Sequence, residues 1–105
     1  MAPRRVRVAA VDEIPAGQCL VVEAGDLTLA VANVDGRFYA VDNMCPHRGG
    51  PLGEGELDGT VLRCPWHGWQ IDVTDGKAAQ NHAVAAACFP VVVEGGAVFV
   101  VRDTP

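Results

Sequence analysis

Two short Cys/His segments constrain this chain more than any other feature. The first is Cys45-Pro46-His47 and the second is Cys64-Pro65-Trp66-His67. Each lies in a stretch rich in Gly and Pro, with strand-like sequence on both sides. Two thiolates and two imidazoles arranged in this way can hold a metal centre. We therefore expect both segments to form metal-binding loops at the ends of strands.

Strand-like segments separated by turn signals run along the whole chain. Asp35-Gly36 and Asp58-Gly59 each stand between apolar runs, which is a strong hairpin signal. Residues 77–87 have little β character and could hold a short helical turn. We predict strands at residues 5–11, 19–23, 27–34, 38–43, 56–57, 61–63, 70–73, 89–93 and 97–102. Many short strands with regular turns predict an all-β fold, an antiparallel sandwich or barrel.

The two Cys/His segments fall in one loop-rich part of the sequence, from about residue 43 to about residue 75. We interpret this part as a subdomain inserted into a β base, and we expect both loops to be ends of strands in one small sheet. The sequence contains no internal repeat and no linker. We therefore predict a single domain that spans residues 1–105.

Composition and charge exclude several classes of protein. The chain has 105 residues, half of them apolar, which suits one small folded domain. The formal net charge is −5, with 13 acidic against 8 basic residues, and this argues against nucleic-acid binding. No apolar run approaches the roughly 20 residues that a membrane span needs. The start resembles neither a signal peptide nor a transit peptide, so we predict a cytoplasmic protein that does not bind membranes.

Two kinds of metal centre suit the ligands. Structural zinc takes four Cys or His ligands, commonly in pairs separated by two to four residues. Here one residue separates Cys45 from His47, and two separate Cys64 from His67. Such tight spacing in the first pair suits ligands of different metal ions better than two corners of one tetrahedron. A two-iron centre fits, with both cysteines on one iron and both histidines on the other.

The two segments resemble the C-x-H and C-x-x-H boxes of the Rieske family. The similarity includes the flanking runs Cys45-Pro46-His47-Arg48-Gly49-Gly50 and Cys64-Pro65-Trp66-His67-Gly68-Trp69, and it extends over the whole chain. The resemblance implies a Rieske-like fold and one 2Fe–2S cluster. It assigns the four ligands as Cys45, His47, Cys64 and His67.

The resemblance also bears on the reduction potential. High-potential relatives carry a disulfide between positions that correspond here to Gly50 and Trp66, and hydroxyl donors at positions that correspond to Trp69 and Ile71. Hydrogen bonds to the sulfurs favour the reduced state. Their loss predicts a potential near the low end of the family range, about −150 mV.

Four residues next to the ligands are expected to form the immediate surroundings of the cluster: Gly49, Gly50, Trp66 and Gly68. The glycines let the backbone pass close to the cluster, and Trp66 is expected to shield it or pack beneath it. The remaining cysteines, Cys19 and Cys88, lie in apolar sequence and are predicted to be buried.

The function implied by the resemblance is electron transfer and not catalysis. Outside the two boxes the chain has one histidine, His82, which we expect at a surface or structural position. A mononuclear iron site of an oxygenase needs two His and one carboxylate, and this chain cannot supply them. We therefore predict a ferredoxin that passes electrons from a flavin-dependent reductase to a terminal oxygenase. The alternatives are the small Rieske subunit of an assimilatory NAD(P)H nitrite reductase and, more remotely, a zinc-binding structural module.

Overall fold

A computed structural model describes residues 4–46, 49–66 and 68–102. The strands are β1 Arg4–Ala10, β2 Cys19–Ala24, β3 Leu27–Val34, β4 Arg37–Asp42, β5 Glu56–Asp58, β6 Val61–Arg63, β7 Gln70–Asp72, β8 Cys88–Phe89, β9 Val91–Glu94 and β10 Ala97–Arg102. Single 3-10 turns occur at Val11–Glu13 and Leu52–Glu54. The described ranges contain no α-helix, and neither 3-10 turn is long and apolar enough to cross a membrane. The all-β prediction is confirmed.

The strands form three antiparallel sheets within the described residues. We call them the outer sheet (β1-β10-β9), the central sheet (β2-β3-β4-β8) and the small sheet (β5-β6-β7). The outer and central sheets pack face to face through a shared apolar core, which gives the predicted sandwich base. The small sheet packs against the opposite face of the central sheet. It is built from the stretch of chain between β4 and β8.

Strand β3 is buried on both faces because it runs through the middle of the molecule. Leu29 and Val31 face the outer sheet, where they join the core that contains Val98 of β10. Ala30 and Ala32 point the other way, toward the small sheet. All four side chains are fully buried. The two alanines keep this face shallow, so the segments that carry the two loops can lie close to the central sheet.

The β3–β4 hairpin is fixed by its turn and by one buried amide. Asp35 and Gly36 both have positive φ, 50° and 92°, as the two-residue hairpin turn of the primed type requires. The Asn33 Nδ2 donates to the carbonyl oxygen of Ile14 at 2.7 Å, and its Oδ1 accepts the Gly36 N–H at 2.8 Å. Asn33 thereby ties the hairpin to the segment that precedes β2.

Pro90 divides the strand that was predicted at residues 89–93. Proline has no N–H to donate to a strand partner, so regular pairing stops there. On one side β8 pairs with β4 of the central sheet, and on the other β9 pairs with β10 of the outer sheet. One predicted strand is therefore two, and the chain changes sheets at the proline.

Two other expectations differ from the structure. The chain enters the first loop from β4 of the central sheet, whereas the second loop joins β6 to β7 of the small sheet. The prediction that both loops are ends of strands in one small sheet is therefore wrong. Residues 77–87 form no helical turn; they make isolated bridges from Lys77 to Ala85 and from Ala78 to Ile71.

Candidate metal centre

The first Cys/His loop is closed by a pair of backbone hydrogen bonds. The Cys45 N–H donates to the carbonyl oxygen of Gly50 at 2.8 Å, and the Gly49 N–H donates to the carbonyl oxygen of Cys45 at 2.7 Å. An isolated β-bridge between Met44 and Pro51 closes the loop one step further out. Gly49 has φ of 77°, which an L-residue rarely adopts.

The second loop repeats this pattern with the same spacing. The Cys64 N–H donates to the carbonyl oxygen of Trp69 at 2.8 Å, and the Gly68 N–H donates to that of Cys64 at 3.0 Å. Gly68 has φ of 71°. In each loop the cysteine accepts from the residue four positions later and donates to the residue five positions later. The two loops are therefore copies of one backbone motif, each starting at a cysteine.

The expected ligands His47 and His67 stand between these closing hydrogen bonds in sequence, and both lie outside the described residues. Among the described residues, no group of three or more His, Cys, Asp and Glu side chains is arranged to hold a metal ion. The structure thus places the two cysteine members of the expected ligand set.

The two loops touch each other at Gly50. A Cβ atom built on Gly50 would lie 2.8 Å from the Cys64 Sγ and 3.0 Å from the Cγ and Cδ2 atoms of Trp66. A side chain larger than hydrogen would force the Cys64 thiol and the Trp66 ring to shift. The absence of a Cβ at this position is what allows the first loop to reach the thiol of the second. This close approach brings the two loops near enough for one cofactor to bind to both.

Both cysteines are buried beneath the loops, with 2% of each residue exposed. They belong to the core between the central and small sheets, next to Leu52, Leu62 and Ile71. Thiolates are the metal-binding form of cysteine, and a buried thiolate needs a nearby positive charge. The ferric ions of a 2Fe–2S cluster supply that charge, so the donor set and its burial fit the cofactor that the resemblance implies.

The segment between the loops is held by Asn43, which the sequence interpretation missed. Its side-chain Oδ1 accepts the Gly53 N–H at 2.7 Å, and its carbonyl oxygen accepts the Leu52 N–H at 2.8 Å. The Cys19 Sγ donates to the carbonyl oxygen of Gly53 at 3.3 Å from the neighbouring strand β2. These bonds dock the 3-10 turn Leu52–Glu54 on the central sheet. The only signal in the sequence was an Asn at the end of a predicted strand, two positions before Cys45.

Gly55 fixes the small sheet against the same turn. A Cβ on Gly55 would overlap the carbonyl oxygen of Arg63, which is the residue before Cys64. Because the obstacle is backbone, it cannot rotate away. Gly55 therefore sets how closely the segment after the first loop approaches the strand that leads into the second.

The aromatic residues of the second loop have different environments. Trp66 is 59% exposed, and one part of its ring rests on Gly50. Trp69 is half-buried against the core, and Ile71 is fully buried within it. Trp66 therefore covers the contact between the loops from outside and does not pack beneath it.

The remaining cysteines and histidine differ in exposure. Cys19 is half-buried, and burial raises the pKa of its thiol. Cys88 is exposed, so the prediction that it is buried is wrong; it lies on the two-residue edge strand β8. No disulfide joins the four cysteines, all of which are described. His82 is exposed, as a surface position requires.

Comparison with known proteins agrees with the loop geometry. The Rieske [2Fe-2S] domain matches residues 4–103. The ferredoxin component of the alkene monooxygenase system of Xanthobacter autotrophicus is 39% identical over 97 residues, which covers 90% of this chain and 79% of the relative.

Solved structures show the same fold. A chain from the complex of reduced oxygenase and oxidized ferredoxin in carbazole 1,9a-dioxygenase has a TM-score of 0.83, with 36% identity and 91% of each chain covered. A putative NADH-dependent nitrite reductase small subunit from Mycobacterium tuberculosis has a TM-score of 0.89 over the whole of both chains, but at 21% identity it shows the fold alone. Paired cysteine loops in contact, a match over nearly the whole sequence and these relatives lead to one conclusion. The chain belongs to the Rieske [2Fe-2S] domain family.

Proposed function

We propose that this protein is a low-potential Rieske ferredoxin that carries single electrons from a flavin-dependent reductase to a terminal oxygenase. The observation that carries the proposal is the likeness to a ferredoxin component over 90% of the chain. Relatives of this kind are electron carriers and not enzymes. One Rieske domain over residues 1–105, with its cluster-binding subdomain at about 43–75, is sufficient for this role.

The proposed ligands are Cys45 and Cys64 for one iron and His47 and His67 for the other. A 2Fe–2S cluster supplies reversible one-electron chemistry. With two thiolates and two neutral imidazoles, the oxidised centre has no net charge and the reduced centre carries −1. Four thiolates would give −2 and −3, so the His ligands make the electron easier to accept.

The chain's own residues hold the cysteines and exclude water. Leu52, Leu62 and Ile71 are fully buried and belong to the same core as the two cysteines. The Gly49 and Gly68 amides donate to the carbonyl oxygens of Cys45 and Cys64, which fixes the backbone of both loops. Gly50 then lets the loops meet. A rigid, water-poor site is suited to electron transfer because it needs little rearrangement when the charge changes.

The oxygenase is the proposed acceptor because a chain of the carbazole 1,9a-dioxygenase complex is 36% identical over 91% of this chain. The second candidate is the small subunit of a nitrite reductase, which the fold match to such a subunit keeps in consideration. We also propose a cytoplasmic location, where NAD(P)H-dependent reductases operate.

The cluster is tested first, by iron and acid-labile sulfide analysis and by the EPR spectrum of the reduced protein. We expect two irons and two sulfides per chain with a Rieske-type spectrum. A colourless protein containing one zinc would contradict the proposal.

The electron acceptor is tested by reconstitution. The protein is combined with NADH, a ferredoxin reductase and the carbazole 1,9a-dioxygenase oxygenase, and product formation is measured. In parallel, the cellular partner is captured by co-purification. Recovery of a sirohaem-containing large subunit in place of an oxygenase would favour the nitrite reductase role.

A further inference from the structure

The two cysteine loops are attached to the rest of the molecule in different ways. The second loop joins β6 to β7, and regular strand pairing holds its ends, with Arg63 opposite Gln70. The first loop leaves the central sheet after β4 and returns through the single bridge between Met44 and Pro51 into the 3-10 turn Leu52–Glu54. The return of the first loop therefore depends on individual contacts and not on a strand.

Asn43 is the junction between the central sheet and this returning segment. Its N–H donates to the carbonyl oxygen of Thr28 in β3 at 3.1 Å. Its carbonyl oxygen accepts the Leu52 N–H at 2.8 Å, and its side-chain Oδ1 accepts the Gly53 N–H at 2.7 Å. Three groups of one residue thus bond to two different parts of the chain. The side-chain bond is the one that a substitution removes while the backbone keeps its own donor and acceptor.

Gly53 is packed tightly against the central sheet. It is buried, as is the neighbouring Leu52. A Cβ on Gly53 would lie 2.5 Å from the Val21 Cγ2 and 2.8 Å from the Asn43 Oδ1. A buried N–H that loses its acceptor retains the full cost of having left water. Removal of the Asn43 side-chain oxygen should therefore loosen the turn at this point.

A looser turn affects the proposed cofactor site because the turn begins two residues after Gly50. Gly50 is where the first loop meets the second, since a Cβ built there would lie 2.8 Å from the Cys64 Sγ. Movement of the turn carries Gly50 with it and changes the spacing between the loops that start at Cys45 and Cys64. Contacts that support the ligands from outside fix the geometry of a metal site.

We propose that Asn43 is a positioning residue for electron transfer, whose side-chain oxygen holds the first loop at one spacing from the second. The proposal rests on the proposed electron-carrier function. With the loop held, every molecule offers the cluster the same surroundings and hence the same potential. Without it, molecules with different loop spacings have different potentials, and the site must rearrange each time the electron arrives or leaves.

Two variants of Asn43 separate the acceptor from the shape. Asn43→Leu has nearly the same shape without an acceptor, whereas Asn43→Asp keeps an acceptor oxygen. In Asn43→Leu, we expect hydrogen exchange in peptides that contain Leu52 and Gly53, and loss of the cluster to a chelator, each to be about tenfold faster. The EPR lines of the reduced protein should broaden, and its redox titration should spread beyond a single one-electron curve.

Asn43→Asp is the conservative variant that should restore the wild-type behaviour. We expect wild-type hydrogen exchange, EPR linewidth and titration shape, because the carboxylate accepts the Gly53 N–H in place of the amide oxygen. Its added negative charge shifts the midpoint to a lower value without spreading the titration.

Asn33→Leu is the matched control for stability. Asn33 is also a buried amide with two hydrogen bonds to backbone, one to Ile14 and one to Gly36, and it lies near the opposite end of β3 from Thr28. Its substitution should lower the melting temperature at least as much as Asn43→Leu does. The EPR linewidth and the titration shape should stay as in the wild type, which a general loss of stability at Asn43 would not explain.

Three results would overturn the positioning role: wild-type linewidth and titration shape in Asn43→Leu, equal broadening in Asn33→Leu, or equal broadening in Asn43→Asp. If Asn43→Leu does not fold, Asn43→Ala takes its place with the same expected broadening. Asn43 lines a groove of about 550 Å³ through which water can reach the Gly53 N–H of the alanine variant. Wild-type protein with no reducible centre contradicts the proposed function instead, and hydrogen exchange then still reports whether Asn43 holds the turn.

Discussion

The close approach at Gly50 predicts that Gly50→Ala disturbs the contact between the two loops. Gly50 does not have a positive φ, so alanine suits its backbone and the effect is purely steric. The new methyl would stand 2.8 Å from the Cys64 Sγ. Ordinary contact begins at roughly 3.5 Å, so the Cys64 thiol, or the loop that carries it, must shift by about 0.7 Å. Overpacking of this kind costs about 1–3 kcal/mol.

The assay follows melting temperature and cluster retention together. For a domain of this size, each kcal/mol lowers the melting temperature by roughly 4–8 °C. We expect Gly50→Ala to melt lower and to lose its visible absorbance to a chelator several times faster than the wild type. We expect the faster loss because the new methyl group presses on the thiol of Cys64, which is a proposed ligand.

Gly59→Ala is the matched control. Gly59 lies in the β5–β6 turn with φ of 63°, and a Cβ there meets no atom within 4 Å. Its substitution costs about 1 kcal/mol of backbone strain and should leave chelator resistance unchanged. A Gly50→Ala protein with wild-type melting and wild-type chelator resistance would refute the steric reasoning.

Three further predictions concern ligands, potential and pH. His67→Ala should abolish the Rieske spectrum while His82→Ala leaves it intact, and equal effects would mean that the ligand assignment is wrong. Redox titration should give a midpoint near the low end of the family range, about −150 mV, and a value above roughly +100 mV would exclude the low-potential assignment. Partial burial opposes ionisation of Asp72, but hydrogen bonds from Thr74 and Thr60 outweigh it and hold its pKa below the usual value. Asp72 therefore stabilises the fold above about pH 4, and this contribution disappears as the pH falls through its lowered pKa. Asp72→Asn should reduce the fall in melting temperature at acid pH. Profiles of melting temperature against pH that run parallel in the variant and the wild type would count against this role of Asp72.

Local turn chemistry made much of the fold predictable. Asp35-Gly36 and Asp58-Gly59 were predicted as hairpins, and the strands beside each of them pair antiparallel. A two-residue turn leaves the chain few ways to continue, so nearby sequence is sufficient. The meeting of the Cys45 and Cys64 loops could be predicted for a related reason. Metal chemistry limits which residues occur at such short spacing.

The division into sheets was not predictable from the sequence. Which sheet a strand joins depends on contacts between distant residues, such as β1 with β10. Pro90 gave a local hint that the strand at 89–93 breaks, but not that its halves join different sheets. The exposure of Cys88 was missed because its apolar neighbours Ala85 and Ala87 are exposed as well. Alanine is too small to indicate which face of a strand is buried.

The double burial of β3 means that polarity cannot define how this strand is aligned with its neighbours. In a strand with one wet face, a slip by one residue would expose its apolar side chains, and that cost prevents the slip. Here a slip would merely exchange Leu29 and Val31 with Ala30 and Ala32, all of them apolar. Side-chain volume must define the alignment of β3 instead, because leucine and valine are larger than the alanines that face the small sheet. Asn33 adds a polar lock at the end of the strand, since only one alignment brings its amide to Ile14.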